Sequence, residues 1–468
     1  MSRDWRDERI EQLEAALENA LAQLQKALRR IDQLEEQLGR NSSNSSKPPS
    51  SDTPEQRRGR EPSTPTGRKP GGQPGHKPGK RVLFAAEQVD RTEEVFPAEC
   101  EGCGAGLSAV ADPDPWRHQV VELPEVKPHV TELRCHAVEC DECGHRTRAK
   151  LPFGVPHSML GPRLTALVAL LTGGYHLSRR QAVSLLHDVL GVRVSLGALS
   201  EAEARVSDAI APAVDEAVEF VRAQPIKHTD ATGWARGKES RSLWTITTAL
   251  VTVFFIAADG SKNTVRTLLG KVCGFLVSDR AKQFGFWAMH RRQICWAHLM
   301  RKFAGFAERN DKAGRIGREL RGYAELLFHY WHRVRDGTLS KTDFRRYMAA
   351  VRRETEALLE RAEKLRVRGV SGACADILEH RAALWAFVDH DGIEPTNNLA
   401  ERDLRPFVLW RKRSFGSQSD RGERFAERIM TVTSSLRKQN RHVFNYLHAA
   451  CANALVRRPP PSLLPLPG

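Results

Sequence analysis

Apolar residues recur at alternating spacings of three and four from Ile10 to Leu38, through Leu13, Leu17, Ala20, Leu24, Ala27, Ile31 and Leu34, with Glu, Arg and Lys between them. That spacing is the a/d seam of a coiled coil. Nothing in the segment itself can cover the stripe, so the pattern predicts that copies of the chain associate through residues 10–38; packing on the chain's own body is the alternative. Gly39 ends the helix, and the Ser-, Asn- and Pro-rich run that follows cannot build a core. From Pro162 to about Val206 the period becomes helical. Ser178 and Ser195 are the expected N-caps of two helices joined by the short turn Gly191-Val-Arg-Val194, a spacing that suits a helix-turn-helix.

Beyond Pro225 the pattern switches to strands. Ile226-Lys-His-Thr-Asp230 reads as a strand ending on a carboxylate, 241–250 and 251–257 as two β-branched and aromatic strands, 262–269 as a short helix, and Gly274-Phe-Leu-Val-Ser-Asp279 as a buried strand that again ends on Asp. Residues 301–391 are Leu-, Ala- and Arg-rich and helical by pattern. A further helix starts near Pro395-Thr-Asn-Asn398 and carries Glu401, and the chain closes on a Pro-rich tail.

Length and charge narrow the partners. At 468 residues the chain is too long for a single ordinary core, and 72 Lys and Arg against 57 Asp and Glu give a net charge of +15, which favours a polyanion such as nucleic acid. The segment from Arg40 to Arg81 holds ten Lys and Arg against three acids, interleaved with Pro and Gly, and reads either as a strap along phosphates or as a solubilising tether. The amino terminus lacks an apolar signal core and the longest apolar run, 249–258, is too short to span a bilayer, so the expectation is a soluble, cytoplasmic, nucleoid-associated protein.

Nine cysteines include two Cys-x-x-Cys-Gly turns, Cys100 with Cys103 and Cys140 with Cys143, separated by β-type residues. Two such knuckles predict a zinc ribbon with a closed, structural tetrathiolate site; Cys135, His136 and His145 are near enough to substitute as ligands. Cys295 and His298 form a Cys-x-x-His without an evident partner pair and read as a structural helix start.

The order strand with Asp, two strands, helix, strand with Asp suits a ribonuclease-H-like sheet with Asp230 and Asp279 at neighbouring strand ends, where they would bridge magnesium or manganese ions about 3.5 to 4 Å apart. A third carboxylate is needed from Asp391, Glu394, Glu401, Asp403 and Glu423. Glu401 stands one turn inside its helix and one turn before Arg405, and is the choice; the bland alternative is a capping box, Asn398-x-x-Glu401. Arg402, Arg405, Arg411, Lys412, Arg413, Arg421 and Arg424 would face phosphates, with Arg179 and Arg180 at the start of the first capped helix. Trp234, Trp296 and Trp410 read first as core residues and second as stacking platforms for an unpaired base.

The run from Glu394 to Ser419, Cys295-Trp-Ala-His-Leu-Met-Arg-Lys-Phe303 and Gly71-Gly-Gln-Pro-Gly-His76 together resemble the insertion-sequence-66 family of bacterial transposases. The resemblance implies DNA strand cleavage and strand transfer by a DDE triad of Asp230, Asp279 and Glu401. It also implies that the helix-turn-helix and zinc regions bind the element's terminal inverted repeats; whether helper proteins encoded nearby take part is left open. Ala231 departs from the family's usual Glu. The expected organisation is a multidomain α/β chain: coiled coil 1–39, basic disordered linker 40–82, zinc ribbon 83–155, helix-turn-helix 156–215, ribonuclease-H-like core 216–300 and 392–455 around a helical insertion 301–391, and tail 456–468. Two rival functions keep the same residues: a ribonuclease-H-like nuclease or resolvase without strand transfer, and a domesticated DNA-binding regulator.

Overall fold

The structure is a computed structural model that describes residues 83–465 and Gln23. The coiled-coil seam and the basic linker fall outside the described residues. Two compact units divide the chain, 59–129 and the remainder. In the first, the described residues are almost wholly exposed, and its local closures are a short turn at Ala86–Gln88, the Phe84 backbone paired with the Gln119 amide, and the Cys100 turn with the Glu99 to Gly106 bridge beside it.

The second unit begins with a small hairpin, β1 (Ala137–Glu139) paired with β2 (Arg146–Arg148). Then come α1 (Pro162–Ala169), continued by a π turn, α2 (Arg179–Leu190) and α3 (Leu196–Ala223). Ser178 caps α2 by accepting from the Gln181 N–H, and Ser195 caps α3 by accepting from the Ala198 N–H, as their positions predict. Gly191 closes α2 in the left-handed region at φ 66°. Helix α3 does not stop with the hairpin. Its second half buries Val206, Ile210, Ala213, Val214, Ala217 and Val221 in the main core, an apolar stripe at helical spacing.

A five-stranded mixed sheet follows: β3 (Ile226–Arg236), β4 (Glu239–Thr247), β5 (Thr252–Ala257), β6 (Phe275–Ser278) and β7 (Arg292–Ile294), in the order β5-β4-β3-β6-β7. The first three form an antiparallel meander; β6 and β7 join parallel to β3. The crossover to β6 runs through α4 (Lys262–Leu269). Gly274 makes the last turn possible: it sits at φ 66°, and a Cβ there would lie 2.2 Å from the Pro225 carbonyl oxygen.

After β7, helices α5 (Trp296–Ala307), α6 (Lys312–Arg335), α7 (Lys341–Lys364), α8 (Ser371–Glu379) and the short α9 (Ala386–Asp389) share an apolar core of their own. It is built around Trp296, Phe303, Leu320, Phe344, Leu359 and Trp385, and Val277 and Ile294 tie it to the sheet edge. The chain then returns as α10 (Asn398–Ser414) across β3 and β4, α11 (Asp420–Lys438) against β5 and α3, and α12 (Val443–Leu455) against α1 and α3. The Pro-rich segment is held rather than loose: Leu463 is fully buried, and the Tyr446 hydroxyl donates to the Pro461 carbonyl at 2.7 Å. No helix among the described residues is long and apolar enough to cross a membrane.

Candidate active site

Strand β3 does not end on Asp230, as its sequence suggests, but runs through it to Arg236. The correction has a register explanation. Pairing with β4 continues to Arg236, whereas parallel pairing with β6 stops at His228 opposite Val277. Continuing that register brings Asp230 level with Asp279, the residue after β6, where the two strands are no longer hydrogen-bonded. Asp279 is fixed there: its Oδ1 accepts from the Ala281 N–H at 2.9 Å, and its carbonyl accepts from the Arg292 Nη2 at 3.0 Å. Arg292 is fully buried, and burial lowers its pKa to about 10 against the pull of Asp279.

The third carboxylate is delivered by Asn397. This buried N-cap residue caps nothing with its side chain. Instead its Nδ2 donates to the Thr229 carbonyl at 2.8 Å, its Oδ1 faces the His228 Nδ1 at 3.3 Å, and its own N–H donates to the Cys295 Sγ at 3.2 Å. The start of α10 is thereby pinned to β3 one residue before Asp230, and to the turn between β7 and α5, where Trp296 N–H donates to the Pro395 carbonyl. Glu401, one turn on, enters the field of Asp230 and Asp279. The Asn398-x-x-Glu401 capping box does not form, because the cap position is Asn397.

The other carboxylates of this stretch are accounted for elsewhere. Asp391 is exposed and pairs with Lys341, and Glu394 is exposed. Glu423 lies near Arg236 and Arg241 at 3.7 and 3.8 Å. Asp403 binds Lys438 at 2.6 Å.

Burial and mutual repulsion shape the electrostatics. Burial pushes Asp230 up to about 7; Asp279 and Glu401 push it the same way, while the Ala231 N–H and Arg301 oppose. Glu401 is also raised, by burial first and Asp279 in addition, with Arg301 opposing. Its Oε1 lies 3.6 Å from His298 Nδ1 and 4.0 Å from an Arg301 nitrogen, and both Glu401 Oε1 and His298 Nδ1 are buried without a hydrogen-bond partner among the described residues. Burial, with Arg301 and Arg280, drops His298 to about 4, so the contact joins a neutral imidazole to a carboxylate and is not an ion pair. Cys295, the helix start of α5 as its position predicts, completes a group in which sulfur, ring nitrogen and carboxylate oxygen lie within 4.8 Å of one another.

The sequence pattern that defines the Transposase IS66 family matches residues 157–424, a span that holds the sheet, all three carboxylates and the helices between them. The chain belongs to the IS66 transposase family. A family of unknown function, DUF6444, matches residues 2–82, and no match was found among curated proteins.

The other candidates divide by environment. Arg402, Arg405, Lys412, Arg413 and Arg424 are exposed. Arg411 instead donates to the Gly233 carbonyl, and Arg421 pairs with Glu201 at 2.8 Å. Arg179 is held by buried Glu203 at 2.5 Å, while Arg180 beside it is exposed. Trp234 and Trp296 are buried, bonded to Ser417 and the Leu384 carbonyl, and Trp410 stacks on His176 at 4.9 Å; all three serve packing.

The two knuckles are alike in detail. Gly104 N–H returns to the Cys100 carbonyl and Gly144 N–H to the Cys140 carbonyl, each at 2.8 Å, with both glycines at positive φ. Backbone N–H groups, from Gly102 first in one and Glu142 first in the other, lower the Cys100 and Cys140 thiols. That backbone arrangement presents a thiolate to a cation.

The sequence reading did not anticipate His228, Arg292, Arg301 or the docking role of Asn397. His228, Arg301 and Asn397 act through partners a hundred or more residues along the chain, and Arg292 through the neighbouring strand end at Asp279. The Cys-x-x-His spacing was the one local signal for His298.

Proposed function

We propose that the chain is a DNA transposase that binds its element's terminal inverted repeats and cuts and joins DNA strands at Asp230, Asp279 and Glu401 in a ribonuclease-H-like core. The observation that carries the reading is that Asp230, Asp279 and Glu401 lie within one electrostatic field where β3 and β6 part: Asp230 is raised by burial first, then by Asp279 and Glu401, and Glu401 by burial first, then by Asp279. Such a group is costly in the free protein, and divalent cations relieve it. The donor set of Asp230, Asp279 and Glu401 fits them: oxygen ligands only, with the charged form of Asp230 opposed by burial and by the other two carboxylates.

Two magnesium or manganese ions bound there would activate the attacking water or 3′-hydroxyl and stabilise the leaving oxygen. The chain's own groups do the positioning. Arg292 holds the backbone of Asp279, Asn397 fixes the helix that aims Glu401, and Arg301 offers positive charge beside the cluster for a phosphate. Arg402, Arg405, Lys412 and Arg413 line the exposed side of α10 and suit backbone contacts that orient DNA without reading it. Arg180, the coiled-coil segment and the two knuckles, with zinc held by Cys100, Cys103, Cys140 and Cys143, belong to end binding and pairing of ends.

The test is magnesium-dependent cleavage of repeat-end DNA by Asp230→Asn and Asp279→Asn. Each variant should lose cleavage and keep nearly full DNA binding, because a metal ligand is removed and no phosphate contact is. Cleavage persisting in either variant overturns the assignment.

A further inference from the structure

Cys295, His298 and Glu401 come from two segments about a hundred residues apart, yet their ligand atoms gather within 4.8 Å. Two features of the group are unexplained by packing. The His298 Nδ1 and the Glu401 Oε1 face one another at 3.6 Å, too far for a hydrogen bond, and both are buried without a hydrogen-bond partner among the described residues, with only an Arg301 nitrogen 4.0 Å from the Glu401 oxygen. Leaving two such atoms unsatisfied costs stability that a cation between them restores. The sulfur lies beside them: Cys295 is fully buried at the start of α5, where burial pushes its thiol up to about 11, and the Asn397 N–H, donating to it at 3.2 Å as N–H groups commonly do to metal-bound thiolates, opposes that rise.

We propose that these three residues form a zinc site, separate from the knuckles and sharing Glu401 with the carboxylate cluster. A thiolate, an imidazole and a carboxylate suit zinc and do not suit magnesium, which prefers oxygen ligands throughout. A tetrahedral zinc with bonds of about 2.0–2.3 Å draws its ligand atoms to roughly 3.5 Å apart, close to the spacing His298 and Glu401 already have. Three protein ligands leave the fourth position for water. On binding, Cys295 gives up its proton to solvent and the Glu401 Oε1 turns its charge to zinc. Zinc therefore withdraws Glu401 from the magnesium-binding group and inhibits cleavage; this consequence rests on the proposed reaction, whereas the site does not.

Cobalt reports the site directly, since thiolate-bound cobalt absorbs in the near ultraviolet and tetrahedral cobalt in the visible. Full-length protein is loaded with cobalt and compared with Cys295→Ser, His298→Ala and Asp230→Asn, all with intact knuckle cysteines, so that the knuckle contribution subtracts. The parent and Asp230→Asn should hold about one more cobalt per chain than the other two, and the difference spectrum should contain both bands. His298 is partly exposed, so His298→Ala keeps the test available if replacing buried Cys295 unfolds the chain; melting curves check each variant. Equal cobalt content and superimposable spectra in the parent and His298→Ala overturn the site. So does loss of the extra cobalt in Asp230→Asn, which would assign the ion to the carboxylate cluster. A folded Cys295→Ser that retains the extra cobalt overturns the thiolate ligand and the zinc assignment with it. None of these outcomes depends on whether Asp230→Asn still cleaves DNA.

Discussion

Helix α10 carries two carboxylates two positions apart, and the fold treats them in opposite ways. Two residues turn a helix by roughly 200°, so the side chains point to opposite sides. Asp403 points to a complete site: its Oδ2 accepts from Lys438 at 2.6 Å, from Thr247 at 2.7 Å and from Thr252 at 2.8 Å. Glu401 points to an incomplete one, with a buried oxygen that has no hydrogen bond and two further carboxylates in its field. A buried charge with a full set of partners holds structure together. One left short is held in place by the rest of the fold, and the strain it carries is available to a ligand.

The sharpest way to break this contrast is to remove each carboxylate in turn. Asp403→Ala strands Lys438 in a buried position and should cost about 3–5 kcal/mol of stability, read by chemical denaturation. Glu401→Gln should leave the melting temperature unchanged or higher and reduce DNA cleavage roughly a thousandfold or more, about 4 kcal/mol of barrier. If Asp403→Ala is as stable as the parent, or Glu401→Gln cleaves normally, the two carboxylates do not differ as described.

Protonation sharpens the contrast at a smaller scale. Asp230 has a folded pKa raised to about 7 from a reference of 3.8, so the folded state keeps a proton that the unfolded state has lost. Stability of the metal-free protein should therefore fall as pH rises from about 4 to about 7, and level off above. Glu427, also raised to about 7 by burial, contributes the same slope in parent and variant. The difference between the parent and Asp230→Asn thus isolates Asp230: in chelator, the variant should melt higher than the parent at pH 8 and close to it near pH 4. Parallel melting curves across that range would mean that Asp230 is not held protonated.

The smallest effect belongs to the exposed basic side of α10. Arg405→Ala should weaken DNA binding by about the same factor for every sequence and reduce the dependence of log affinity on log salt by about one, with stability unchanged. A sequence-dependent loss would make Arg405 a base-reading residue.

Much of the fold was legible because its signals are local. Ser178 and Ser195 cap the helices they precede, the β-branched runs of β4 and β5 form strands, and the helical period of 301–391 yields helices. The end of a strand proved less legible. Asp230 looked terminal because the apolar run stops there, but β4 supplies partners as far as Arg236, and only the β6 side is open.

The sequence by itself determined that Asp279 would be offered at a strand end and Glu401 in the first turn of a helix, because each depends on a periodicity read over a few residues, whereas Asp230, read as a strand end, was set within β3 by its pairing with β4. Choosing Glu401 over Asp403 followed from position along the helix. Why that choice leaves Glu401 unsatisfied was decided only in three dimensions, where Asn397 reaches across to the Thr229 carbonyl and Lys438 arrives from α11 to complete Asp403. The proximity of Cys295 and His298 to Glu401 has the same origin. Local spacing can propose a ligand pair, but the partner that turns a pair into a site comes from a distant segment, and the packing of whole elements sets which atoms are left facing each other.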